Sequence, residues 1–203
     1  GGFRKVYRPP VAIHRPKDPM FAESEIGVDP YPIIPGQPVQ LSVELSNASD
    51  QDQVVWTTFS VAPFGIGLPF SGDGIVPNPM AIFVPAHGAA RGHTTWYPGE
   101  ATGQFCVRVI IEGEGFEPIW SSLNLDVGEP LRPGESHALD FPVSTGPHSE
   151  PVTVTLGLIN YKAGWGASLS QDVLTNLQPS EALTVSLNIT VPFGAELGSG
   201  DPI

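Results

Sequence analysis

From residue 39 to 46 the chain reads Val-Gln-Leu-Ser-Val-Glu-Leu-Ser, apolar and polar in strict alternation, the period-two pattern of a strand with one buried face. The same pattern predicts strands over 54–61, 80–84, 94–97, 105–111 and 119–127. After a turn cluster at 128–134 it returns over 137–143, 152–158 and 183–191, with a weaker strand at 165–170. Residues 171–177 read as one turn of helix or an irregular crossover. Short strands separated by turn residues, six or seven before the cluster and four or five after it, predict an all-β chain of two tandem sandwiches. The expected boundaries are an extended arm over 1–22, a first sandwich over 23–127 and a second over 128–203.

The second sandwich is short of strands, which carries an inference of its own. A sandwich lacking a closing strand leaves unpaired backbone groups and an uncovered strip of core, and both invite strand addition from another segment. The arm has no evident place in the first sandwich, so Phe3, Val6, Tyr7, Val11 and Ile13 are candidate donor-strand residues. On that reading the arm closes a preceding or neighbouring repeat. Tyr31-Pro32-Ile33-Ile34-Pro35-Gly36-Gln37 and Glu129-Pro130-Leu131-Arg132-Pro133-Gly134-Glu135 both set Pro-Gly-polar just before a first alternating strand, as tandem units would.

Composition narrows the class. Gly and Pro, 23 each in 203 residues, break the chain too often for a helical bundle, since each disrupts helix interiors. No apolar run reaches the ~20 residues of a transmembrane helix, so membrane insertion is not expected. The net charge of −12 repels phosphate and argues against nucleic acid as a partner. Arg4, Lys5, Arg8, Arg15 and Lys17 are five of the nine basic residues, so the arm is locally basic against an acidic body.

The second half carries a resemblance. With Pro-Gly before a strand, Gly164-Trp165-Gly166-Ala167-Ser168-Leu169-Ser170, Leu177-Gln178-Pro179-Ser180-Glu181 and the strand ending Val191-Pro192-Phe193-Gly194-Ala195, it resembles the immunoglobulin-like accessory domains of secreted bacterial glycosidases and proteases. These include the alpha-galactosidase-associated module and the cell-adhesion-related domain found in bacteria. Ser180 departs from the Gly that such domains usually carry after Pro. The resemblance covers roughly 128–203 and, more loosely, the first unit. It implies immunoglobulin-like sandwiches, an extracellular or cell-surface setting and no catalytic residues to carry over.

Candidate chemistry is sparse. Cys106 lies in an alternating strand without a basic neighbour of the Cys-His kind, and reads as a structural cysteine. His14, His87, His93, His137 and His148 are isolated, with no metal-ligand spacing. Asp50 and Asp52 read as a turn that ends a strand rather than a calcium loop. Glu112, Glu114 and Glu117 fall in a Gly-rich hairpin and read as a solvated charged turn. Two N-x-S/T sequons occur, at Asn47 and Asn188. No metal and no cofactor are expected.

The most unusual stretch is 62–79, in which Phe64, Ile66, Leu68 and Phe70 recur at every second position of a long loop. Long loops without structure of their own are often contact surfaces. These four residues, with Tyr97 and Trp165, are the candidate interaction surface; Trp165 reads equally as a core plug or a platform for a sugar ring. The function expected is a non-enzymatic spacer and protein-protein contact module whose partners are adjacent repeats or copies of itself. The alternative is a carbohydrate-binding accessory domain that takes polysaccharide.

Overall fold

The computed structural model describes residues 11–13, 26–75, 77–128, 131–146, 148–158 and 164–194. Their regular structure is entirely β. The amino-terminal part contains β1 (Val11–Ile13), β2 (Ile26–Asp29), β3 (Val39–Asn47), β4 (Gln53–Pro63), β5 (Asp73–Gly74), β6 (Met80–Val84), β7 (Ala89–Trp96), β8 (Gly103–Gly113) and β9 (Phe116–Val127). Strands β2, β3 and β7, with β1, form one antiparallel sheet; β4, β8 and β9, with β5 and β6, form the other. The chain runs β1 to β3 in the first sheet and β4 to β6 in the second, returns to the first for β7 and ends with β8 and β9 in the second, so the two sheets form a sandwich.

Burial follows the alternation. Val39, Leu41, Val43 and Leu45 of β3 face Val55 and Phe59 of β4 and Val107, Val109 and Ile111 of β8, all essentially without solvent contact. Leu123, Leu125 and Val127 of β9 complete that wall. The corner between β3 and β4 is built by Asn47. Its side-chain amide donates to the carbonyls of Gln51 at 2.8 Å and Val84 at 3.1 Å, while its oxygen accepts the Ser49 N–H at 2.9 Å. The Asn47 sequon is therefore closed to modification in the folded chain, whereas Asn188 is exposed.

The carboxyl-terminal part holds β10 (Ser136–Ser144), β11 (Val152–Thr155), β12 (Gly166–Leu169), β13 (Val173–Leu177) and β14 (Ala182–Thr190). They form a three-stranded sheet in the order β10-β14-β12 and a two-stranded sheet of β11 and β13. Phe141, Val143, Leu174, Leu177 and Val185 are its core, with a smaller cluster of Leu131, Ile189 and Val191.

Three features depart from the sequence reading. Residues 171–177 hold a strand, not a helical turn. Leu174 and Leu177 share a buried face three residues apart because the pairing slips opposite Val152 and Val154, with Asn176 at φ 57, so a bulge imitates helical spacing. Strand β7 starts five residues before the predicted 94–97, in Ala-Ala-Arg-Gly-His, which carries no β signal; Gly92 lies close under the tip of the Ile82 side chain. The arm does have a place in its own sandwich. Val11 and Ile13 pair with Asn47 and Leu45, extending the β3 edge on which Ile26 already faces Val43; Phe3, Val6 and Tyr7 lie outside the described residues. Ser180, where Gly would be usual, sits at φ 62, the left-handed conformation that Gly adopts without cost.

The inner and outer faces of one sheet make a direct contrast. Phe59→Ala should destabilise the chain by about 3–5 kcal/mol in urea unfolding, through the cavity it leaves. Phe83→Ala, 57% exposed on the outer face, should change stability by less than about 1 kcal/mol.

Candidate functional site

The long loop after β4 joins the two sets of strands. Its Phe64 ring meets the Phe141 ring edge-on, 5.6 Å between centroids at 63°. Two residues on, the Ile66 N–H donates to the Pro142 carbonyl at 2.9 Å, and the Ile66 carbonyl accepts the Ser144 N–H at 2.8 Å. Ile66 is thus a one-residue parallel rung on β10. Gly67, at φ 70, lies against the Ser144 carbonyl, with no room for a Cβ. Two of the candidate contact residues, Phe64 and Ile66, therefore meet this chain's own second set of strands.

The remaining candidates scatter. Leu68 is 41% exposed and Tyr97 70% exposed, each facing solvent. Trp165 is half-buried against the cluster of Leu131, Ile189 and Val191. Phe70 folds back onto the outer face of the β4-β8-β9 sheet, where the Arg108 guanidinium stacks 4.1 Å from its centroid and 5.0 Å from that of Trp120.

That outer face holds the aromatic site that the sequence reading missed. The register sets Phe83 opposite Val54, Trp56 opposite Glu112, and Ile110 opposite both Thr58 and Trp120. Phe83, Trp56 and Trp120 therefore lie along one diagonal band, with Val54 beside them. All four are about half exposed, from 49% to 57%. Strand spacing of ~4.8 Å and a rise of ~3.4 Å per residue put the two tryptophans on the order of 12 Å apart. Glu112, Glu114 and Glu117 are exposed at the hairpin end of the band. The available signal was parity: Trp56 and Trp120 occupy the polar phase of their alternating strands.

Little of this arrangement favours covalent chemistry. Burial raises the Cys106 thiol above its ordinary pKa, against smaller lowering effects of Arg108 and Ser122, so the nucleophilic thiolate is suppressed. His87 bonds Asp50 at 2.6 Å on the surface, and Asp52 accepts the Ala86 N–H at 2.8 Å, tying two turns together. Among the described residues no three His, Cys, Asp or Glu side chains converge as a metal site would require. Asp126 of β9 is the other perturbed group. Burial pushes its carboxyl above the usual range, partly offset by His137 and by the Gln104 amide, which donates to it at 2.8 Å.

No protein-family model matches the chain, and no curated protein sequence matches it. Among solved structures it is similar to the carboxyl-terminal domain of wzt, with 14% identity over 61% of this chain and 77% of that one, at a TM-score of 0.42. It is similar to PapD-like domain 7 of human CEP192, with 18% identity over 64% and 96% of the two chains and a TM-score of 0.38. It is also similar to the Pseudomonas fluorescens alkylpurine DNA glycosylase AlkC, with 17% identity over 58% of this chain and 30% of that one, TM-score 0.39.

Two outcomes follow from this geometry. Gly67→Ala should release the loop from β10, at a cost of at least about 1–2 kcal/mol for the left-handed backbone alone, and split a single calorimetric transition into two. Asp126 stays protonated to higher pH in the fold than in the unfolded chain, so its ionisation destabilises the fold as pH rises through the carboxylate range. Asp126→Asn should therefore raise Tm at pH 7 and lose that advantage at acid pH; an equal gain at both would contradict burial as the cause.

Proposed function

We propose that the chain is a non-enzymatic structural module of a secreted or cell-surface repeat protein. It acts as a spacer and a contact surface, and joins adjacent repeats or copies of itself by strand addition. Two immunoglobulin-like units, 23–127 and 128–203, are the building blocks in this reading. The supporting observation is the unfinished state of the second core. Strand β11 pairs with β13 alone among the described residues, so among them one of its edges has no partner strand. Its inward row, Val152 and Val154 with Leu156 beyond, is only half-buried, whereas Val55, Thr57 and Phe59 in the inward row of β4 are fully buried.

An open edge beside half-covered apolar residues is what an incoming strand satisfies: it pairs the free N–H and C=O groups and covers the strip in one step. The rung from Ile66 covers a different edge, that of β10, and leaves β11 free. Docking of Phe64 and Ile66 holds the two units together, as a spacer under load requires. The raised thiol of Cys106 is consistent with a module that does no covalent chemistry.

Lysine on an edge strand blocks pairing in trans at little cost to the fold. The double variant Thr153→Lys/Thr155→Lys, both exposed on β11, should markedly weaken concentration-dependent association in sedimentation velocity while leaving Tm within a few degrees. A native chain that stays monomeric at millimolar concentration, or a variant that associates as well as the native chain, would sink the proposal.

A further inference from the structure

The aromatic band on the outer face of the β4-β8-β9 sheet is separate from the β11 edge and needs an occupant of its own. We propose that it binds the basic amino-terminal segment of a second copy, residues 3–10, so that copies join head to tail. The proposal rests on the reading of the chain as a self-associating module but not on strand addition to β11.

Charge decides the kind of occupant. The first 17 residues carry five Arg and Lys and no acid, leaving four basic against 21 acidic groups in the rest. The band is bordered by Glu112, opposite Trp56, and by Glu114 and Glu117 of the same hairpin. Exposed indole faces beside carboxylates suit guanidinium and ammonium groups, which stack on the ring and pair with the acid. The face already holds one cation in this way, since Arg108 lies over Trp120 and Phe70. Arg4, Lys5 and Arg8, interleaved with Phe3, Val6 and Tyr7, offer the same chemistry from outside. A neutral glycan would use the rings and leave the carboxylates without a role.

The sheet of origin favours a second copy. Strand β1 belongs to the β2-β3-β7 sheet, whereas the band lies on the outward side of the opposite sheet. To reach the band of its own copy, a segment tethered at Val11 would have to turn around the sandwich; the band of a second copy requires no such turn.

The test uses the full chain, a chain lacking residues 1–10 that retains β1, Trp56→Ala/Trp120→Ala, Arg4→Glu/Lys5→Glu/Arg8→Glu and the β11 double-lysine variant. Sedimentation velocity is run at low and high salt. A synthetic peptide of residues 1–10 is titrated into the truncated chain while tryptophan quenching by acrylamide is followed. The full chain should associate, by roughly an order of magnitude more weakly at high salt. Association should be retained in part when only β11 is blocked, and in that β11-blocked background should be lost on truncation, tryptophan replacement and charge reversal. The peptide should protect the truncated chain from quenching but not its Trp56→Ala/Trp120→Ala form. Association that survives truncation in the β11-blocked background would overturn the proposal, as would a monomer whose own arm protects the tryptophans. Protection by a soluble polysaccharide and not by the peptide would overturn it in favour of a glycan.

Discussion

The fold depends on covering one face of each alternating strand. A row such as Val39, Leu41, Val43 and Leu45 projects every second side chain to one side, and the only economical cover is a second sheet with a matching row. In the amino-terminal sandwich Val55 and Phe59, Val107 to Ile111 and Leu123 to Val127 supply it, and the interior closes. Fully burying one such side chain contributes about 1.5–3 kcal/mol, so closure fixes register and outweighs most local preferences. In the carboxyl-terminal part the same demand is met only in part: among the described residues the β10-β14-β12 sheet has two strands opposite it, and Val152, Val154 and Leu156 are half-covered.

Where burial sets the pattern, the sequence was legible. Strands β3, β4, β6, β8, β9, β10 and β14 lie where the alternation put them, because every second position is a large apolar residue that the opposite sheet covers. Elements held by something other than their own side chains were not visible. Strand β2 is four residues given shape by the β3 edge; β7 begins on small residues against Ile82; β13 has the i, i+3 leucines of a helix and is a strand by virtue of a bulge. In each case tertiary contact overrides local propensity.

The candidate sites divide along the same line. Phe64 and Ile66 stood out because apolar residues recurred in a loop with no core to face, and they meet Phe141 and Val143 of the second set of strands. Leu68, chosen by the same criterion, meets solvent, as does Tyr97. Trp56 and Trp120 were passed over because tryptophan in a small sandwich is usually core. Parity marks each as outward, and the register then sets both on one face of the sheet, on the two strands that flank β8.

The central claim is that the second core is open along β11 and closes only when another strand arrives. Hydrogen exchange of the β11 amides, followed by mass spectrometry over a wide range of protein concentration, tests it most directly. The account predicts rapid exchange in β11 of the dilute chain, while β3 and β8 exchange slowly, and growing protection of β11 as concentration rises. Amides of β11 as slow as those of β3 at every dilution would mean that the core is already complete and would contradict it.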